Sequence, residues 1–309
     1  MERSRKRGES GVLEGAQGRI VRVVAGFYDV DLQGRTVRCR ARGVLKKRGI
    51  HPVVGDAVRV RLSGPSEGVV EDVLSRTNVL VRPPVANVDL AVLVFSIREP
   101  DLNRHLLDRL LVSVELQNIP ALLCWSKADL LQDRSDFERE VSVYGRLGYP
   151  TLFASSLTGE GIDALRTWLR GKVSVLAGQS GVGKSSLINA LRPGLNRAVG
   201  DVSRRLGRGR HTTRQVELLR LEENTYVVDT PGFGVLAFDK DLEPEKLPKG
   251  FPELVEVGRD CRYRGCLHEE EEGCAVPAAL AEGRIDPLRY YHYREWLKEL
   301  REAREERYR

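Results

Sequence analysis

Polar and apolar residues alternate with a period of two through the first quarter of the chain. Arg19-Ile20-Val21-Arg22-Val23-Val24, Phe27-Tyr28-Asp29-Val30-Asp31-Leu32, Thr36-Val37-Arg38-Cys39-Arg40-Ala41 and Asp56-Ala57-Val58-Arg59-Val60-Arg61 are separated by Gly-containing turns. Such alternation marks half-buried strands. It predicts a small antiparallel β-barrel of the OB type over residues 16–80. From residue 85 the pattern changes. Val88–Phe95, Leu122–Trp125, Val173–Ala177 and Tyr226–Val228 are continuous apolar runs, and Leu106–Gln117 between them has helical spacing. Buried strands alternating with helices predict an α/β domain over residues 85–250, with a parallel sheet and ligands at the strand C-terminal ends. Residues 251–309 read as a helical module. Its last segment, Leu288–Arg309, is a charged amphipathic helix offering Tyr291, Trp296, Leu297 and Leu300 for packing. Residues 1–15 are rich in glycine and charge and read as a mobile basic arm. Pro83 and Pro84 mark the linker after the barrel, so the chain is multidomain.

The α/β segment carries phosphate chemistry. Gly178-Gln179-Ser180-Gly181-Val182-Gly183-Lys184-Ser185 fits GxxxxGK[ST] and sits between an apolar strand and the helix-like Ser186–Leu191. Glycines there let backbone N–H groups turn inward on phosphate oxygens, and a helix N-terminus adds positive partial charge. Lys184 is then expected at the β- and γ-phosphates and Ser185 at Mg²⁺. Asp229-Thr230-Pro231-Gly232 ends a buried strand in a carboxylate and a turn. Asp229 is expected beside Mg²⁺ through a water, and Gly232 N–H at the γ-phosphate. Upstream of both, an apolar strand delivers Ser126-Lys127-Ala128-Asp129. Its Asp129 carboxylate can accept from guanine N1–H and the exocyclic amine, a donor pair that adenine lacks. Ser126 stands where a GTPase ordinarily has an asparagine, which keeps a P-loop ATPase or small-molecule kinase open as an alternative. Ser155 and Ser156, in Ala154-Ser155-Ser156-Leu157-Thr158-Gly159, match the loop that meets guanine O6 through a backbone N–H; an ordinary Ser/Thr/Gly loop is the plainer reading. The base-reading motif precedes the phosphate loop, an order circularly permuted relative to an ordinary GTPase.

Three further features flank or fill this core. The predicted barrel carries Arg22, Arg38, Arg40, Lys46, Lys47, Arg48, Arg59 and Arg61 beside Phe27 and Tyr28. This is either a solvated strand face or a surface that tracks a nucleic-acid backbone and stacks bases. Cys261, Cys266, His268 and Cys274 form a closely spaced Cys₃His set that can close a tetrahedron around one structural Zn²⁺. Disulfides are the rival, but a chain with five Cys and no secretory segment points to a reducing compartment. Cys39 and Cys124 fall in predicted strands and read as buried small residues. Gly207-Arg208-Gly209-Arg210-His211-Thr212-Thr213 lies where switch I belongs, with Thr212 or Thr213 available to Mg²⁺. Phe233 follows the Asp-Thr-Pro-Gly turn and has no donor or acceptor with which to orient water, so His211 is the candidate for that task.

With these motifs the chain resembles the ribosome small subunit-dependent GTPase A family (RsgA/YjeQ), which are circularly permuted GTPases. The resemblance covers nearly the whole sequence, least over the first sixteen residues and the last dozen. It implies an OB-type RNA-binding barrel, a permuted P-loop GTPase domain and a zinc-binding module. It implies hydrolysis of GTP to GDP with Mg²⁺, stimulated by the small ribosomal subunit during its late maturation, and contact with rRNA. It also gives the His211 position the water-positioning role.

Composition is consistent with that expectation. The 309 residues are 41% hydrophobic, enough for several domains, and the net charge of +6 suits a polyanionic partner. No apolar run approaches a membrane span, and the first residues are too polar for a signal peptide, so a cytoplasmic protein and no membrane partner are expected. Nothing in the sequence demands more than a monomer. Phe233 leaves one more alternative, a nucleotide-gated RNA-binding protein with little hydrolysis.

Overall fold

A computed structural model describes residues 15–80, 84–192, 216–229 and 242–307, with Asp136 and Asp229 described by backbone alone. Strands β1 (Ala16–Val24), β2 (Phe27–Leu32) and β3 (Arg35–Ala41), the short helix α1 (Gly43–Lys47), and strands β4 (Ala57–Leu62) and β5 (Glu67–Val73) build the N-terminal unit. The pairing β1–β2–β3–β5–β4 closes through β4 back onto β1, so the sheet is a five-stranded barrel. Alternation puts Ile20, Val30, Val37, Cys39, Val58, Val60 and Val70 inside, with Leu45 of α1 plugging one end. The short strands β6 (Val79–Leu80) and β7 (Val85–Ala86) lead into the α/β unit.

That unit runs β8 (Leu90–Ser96), α2 (Arg104–Glu115), β9 (Ala121–Ser126), α3 (Glu138–Arg146), β10 (Thr151–Ala154), α4 (Ile162–Leu169), β11 (Val173–Ala177), α5 (Lys184–Leu191), β12 (Glu217–Glu222) and β13 (Thr225–Asp229). Strands pair in the order β10-β9-β8-β11-β13-β12, parallel except for β12. From β8 the chain builds outward to β10 and then returns to β8's other side as β11. The crevice above β8 and β11 is therefore the switch point at which open α/β sheets bind ligands. Two apolar layers cover the sheet, one including Leu107, Leu111 and Tyr144 from α2 and α3, the other Leu165, Leu169, Leu187 and Ile188 from α4 and α5.

The barrel shares this sheet. β1 pairs antiparallel with β12 at Arg22 opposite Glu217. The Tyr226 hydroxyl donates to Asp31 Oδ2 at 2.6 Å, and Val54 bridges Val85. Buried Asp56 is held by Arg76 at 2.7 Å.

The C-terminal module follows a 3-10 turn at Pro244–Gly250 and contains α6 (Pro252–Val257), α7 (Val276–Ala281) and the long α8 (Pro287–Arg307). Its core, with Phe251, Leu254, Tyr293 and Trp296, also takes in Val112 of α2. A buried polar network crosses the same seam. Arg289 of α8 donates to Asp108 of α2 at 2.5 Å and to Glu253 of α6 at 2.6 Å. His292 Nδ1 lies 2.7 Å from the second Asp108 oxygen, and the Tyr144 hydroxyl donates to the first at 3.0 Å. Tyr291, expected to pack, is 62% exposed. The buried stripe of α8 is Arg289, His292, Tyr293, Trp296, Leu297 and Leu300, so Tyr291 projects from the opposite side. The helix α2 begins at Arg104, capped by Asn103 accepting from Leu106 N, two residues ahead of its apolar spacing. Among the described residues no helix is long and apolar enough to cross a membrane.

Candidate nucleotide site and metal centre

The phosphate loop leaves β11 at Gly178, whose φ is +145° and where an added Cβ would lie 2.0 Å from Val94 O. Only glycine fits so close to β8. Gly183, at φ +93°, turns the loop into α5, whose first residue is Lys184. The loop thus forms a cradle of backbone amides at a helix N-terminus, suited to an anionic oligophosphate. Lys184 folds over it, its Nζ donating to Gly178 O and Gln179 O at 2.7 Å each. Burial pushes the Lys184 ammonium down to about 8. A cation held in this way gains from any phosphate that replaces the two carbonyls. Ser180 is exposed, Val182 is buried, and Ser185 and Ser186 are half-buried in the first turn of α5.

The elements expected to read the base converge on the same crevice. β9 ends at Ser126 beside β8 and β10, with Ser126 opposite Ser96 and Ala154. The Ser126 hydroxyl is turned inward, 2.6 Å from Val182 O and 3.1 Å from Phe95 O. Lys127 takes a left-handed conformation and its Nζ donates to Glu99 O. Ser155 donates to Asp129 Oδ1 while accepting from Leu157 N and Thr158 N at 3.2 Å each. Its own N–H donates to Glu160 O at 2.9 Å, which closes the loop. Ser156 is exposed and Ser155 fully buried. The β8–α2 connection went unread in the sequence, yet Glu99 meets Lys127, and Pro100 Cδ lies 3.9 Å from where a Gly181 Cβ would be. Its apolar-poor stretch carries no period, so sequence pattern had nothing to flag. Backbone at Asp229 ends β13 next to β11. The Asp229 side chain, His211, Thr212, Thr213, Gly232 and Phe233 lie outside the described residues.

In the C-terminal module, Cys261, Cys266, His268 and Cys274 place their ligand atoms within 4.8 Å of one another, a group that could hold a metal ion. Cys261 and Cys274 Sγ lie 3.6 and 3.7 Å from His268 Nδ1. Burial, joined by the neighbouring thiols, pushes the Cys266 thiol up to about 12, and burial lowers His268. A cation at the centre of the cluster would favour the thiolates over the thiols. Surrounding groups lock the loop. Glu271 accepts from Leu267 N and Glu269 N at 2.7 and 2.8 Å, and the Tyr290 hydroxyl donates to His268 O at 2.7 Å. Glu271 was hidden in an acidic run that reads as solvated surface.

The barrel's basic residues divide. Arg38 pairs with Asp29 at 2.9 Å and Arg61 with Glu71 at 2.8 Å, while Arg40 lies over the Phe27 ring at 4.9 Å. Lys46, Lys47 and Arg48 are exposed at the end of α1. Cys39 and Cys124 are buried in β3 and β9.

A phosphate loop after the fourth parallel strand of the chain, a base-reading loop after the second, and a barrel joined to the sheet edge define a circularly permuted P-loop GTPase. Family models described as RsgA GTPase and RsgA N-terminal domain match residues 73–239 and 17–70. The chain belongs to the RsgA GTPase family. It is 49% identical over 290 residues to the small ribosomal subunit biogenesis GTPase RsgA of Bacillus cereus, covering 93% of this chain and 98% of that one. The protein of the same name from Caldanaerobacter subterraneus is 45% identical over 296 residues, with 96% and 99% covered. Among solved structures, the circularly permuted GTPase YloQ matches at a TM-score of 0.79 and 36% identity, covering 96% of this chain and 98% of that one. YjeQ from Thermotoga maritima matches at 0.80 and 35%, covering 93% and 98%. Membership in a family of GTPases sets aside the ATPase, kinase and non-hydrolysing alternatives that Ser126 and Phe233 had left open.

Proposed function

We propose that this chain is a GTPase of small-ribosomal-subunit maturation, which binds the subunit with GTP and is stimulated by it to hydrolyse GTP to GDP and phosphate. The observation that carries this reading is the hairpin β12–β13. Its strand β13 ends at Asp229, while its strand β12 is paired to the barrel. A change of phosphate state sensed at Asp229 is thereby one strand away from the barrel. The names of the relatives support the choice of partner.

Within the site, the loop Gly178–Ser186 takes the phosphates, with Lys184 on the β- and γ-oxygens and Gly232 N–H on the γ-phosphate. Ser185, Asp229 through a water, and either Thr212 or Thr213 would hold Mg²⁺, which would neutralise charge developing on the transferred phosphoryl group. Asp129 reads the guanine edge, the Ser156 backbone meets O6, and His211 positions water. Residues 16–80 serve as the rRNA-binding domain through Arg40, Lys46, Lys47 and Arg48, residues 85–250 as the GTPase domain and residues 251–309 as the zinc-binding domain. The protein acts as a cytoplasmic monomer. For the Cys₃His group the metal is Zn²⁺. A tetrahedron with Zn–S of about 2.3 Å and Zn–N of about 2.0–2.1 Å separates sulfur from nitrogen by about 3.6 Å, and the two measured separations from His268 are 3.6 and 3.7 Å. Four protein ligands make the site structural.

GTP and ATP turnover measured alone, with small subunits and with large subunits tests the assignment. Selective stimulation of GTP turnover by small subunits is expected, and His211→Ala should lower the stimulated rate by about 10²-fold or more. Equal stimulation by both subunits, or none, would overturn it. Metal removal has a separate readout. A strong chelator is expected to release one zinc per chain and to melt the C-terminal module, followed through Trp296 fluorescence, and Cys266→Ser should show the same loss without chelator. A module that keeps its melting temperature under both treatments would exclude a structural metal.

A further inference from the structure

Two buried serine hydroxyls flank the base-reading loop, and they face different parts of the site. Ser126 is 1% exposed. Its oxygen lies 2.6 Å from Val182 O, in the middle of the phosphate loop, and 3.1 Å from Phe95 O. Both neighbours are acceptors, so the single hydroxyl proton goes to the nearer one. A side chain whose one proton is committed to a buried carbonyl has no donor left to offer a purine. Ser155 is 0% exposed and donates to Asp129 Oδ1, with Leu157 N and Thr158 N donating to it in turn. Its one donor and its acceptor capacity are all spent on aiming the carboxylate.

We propose that the two hydroxyls divide the site: Ser126 is a positioning residue of the phosphate loop and takes no part in reading the base, whereas Ser155 sets guanine selection by fixing Asp129. The proposal rests on the GTPase reading of this crevice. The asparagine ordinarily found at position 126 is long enough to brace the loop and touch the base together. The serine retains the brace and drops the base contact. Among side chains, guanine preference in this chain therefore hangs on Asp129, and its sharpness on how firmly Ser155 holds that carboxylate.

GDP and IDP separate these roles, because IDP lacks the exocyclic amine that a fixed carboxylate accepts. Binding of both is measured to wild type, Ser126→Ala, Ser126→Cys, Ser126→Thr and Ser155→Ala, with the nucleotide-free melting temperature of each. Ser126→Ala should raise both dissociation constants by one common factor, about 5–10-fold for a lost buried hydrogen bond, leaving their ratio unchanged. Ser126→Cys, close in size and a weak donor, should do the same to a lesser degree, and keeps the test alive if the alanine variant does not fold. Ser126→Thr keeps the hydroxyl and should restore wild-type binding. Ser155→Ala should weaken GDP more than IDP and shrink the ratio by about 3-fold or more. A Ser126→Ala or Ser126→Cys protein whose GDP/IDP ratio collapses, or a Ser155→Ala protein whose ratio is intact, overturns the division. Wild-type protein that binds neither nucleotide would instead refute the GTPase reading itself.

Discussion

Lys184→Ala is expected to lower GTP turnover by at least about 100-fold, the scale of one lost donor to a transition-state oxyanion. Lys184 is the only cation within the described phosphate loop, and its partners there are two neutral carbonyls. The same burial that leaves its ammonium at about 8 sets a pH signature. Phosphate oxygens favour the charged form, so the bound lysine titrates higher than the free one, and binding above pH 8 takes up a proton. GTP affinity should be level below that point and fall as pH rises through it, by up to about tenfold per unit, while Lys184→Ala binding stays flat. Calorimetry in two buffers of different ionisation enthalpy would count the proton. Stability has the opposite sign. A lysine whose folded value is depressed below its unfolded one disfavours folding, fully below about pH 8 and less as pH climbs towards 10.5. The nucleotide-free Lys184→Ala protein should accordingly melt no lower than wild type at neutral pH, a functional group carried at a cost to the fold.

Asp108→Ala should destabilise the protein by about 3–5 kcal/mol, the range for breaking a buried ion pair on one side only. The substitution leaves Arg289 fully buried with Glu253 as its remaining carboxylate, and takes from His292 and Tyr144 their shared acceptor. Burial pushes the Asp108 carboxyl up, but Arg289, His292 and Tyr144 outweigh it and hold it below its ordinary value. The stability it contributes is thus complete above the usual carboxylate range and is lost only as pH falls beneath it. Thermal denaturation of wild type and variant from pH 7 down to 3 checks both size and sign. Because Asp108 sits on α2 and Arg289 on α8, the variant should also uncouple the melting of the two units, visible as a second transition. A single unshifted transition would show that the apolar seam around Val112 suffices.

What could be read from the sequence was local. β2 was legible to the residue and β1, β3 and β4 within a few, because each alternates over a full strand length. β5, Glu67–Val73, went unread because its acidic residues and glycine dilute the alternation, and the two-residue strands β6 and β7 have no period at all. The phosphate loop and the Cys₃His set were legible because their chemistry is fixed by spacing within a few residues. Contacts that give the site and the C-terminal seam their particular character join distant segments: Ser126 to Val182, 56 residues apart, and Asp108 to Arg289, 181 apart. The stripe of α8 was misjudged at Tyr291 for a related reason. Hydrophobic pattern favours a tyrosine over Arg289 and His292, and only the acids of α2 and α6 make burial of those two affordable.

Removing the barrel would do more than remove a basic surface. β12 is the last strand of the α/β sheet; β1 pairs with it at Arg22 and Glu217, and Asp31 of β2 accepts from the Tyr226 hydroxyl and lies 3.8 Å from Arg220. A chain beginning near residue 85 would leave β12 as an edge strand with open N–H and C=O groups, a template for pairing with its own kind. Such a truncation should self-associate through that edge, and the barrel therefore acts as a solubility cap on the GTPase domain as well as its neighbour.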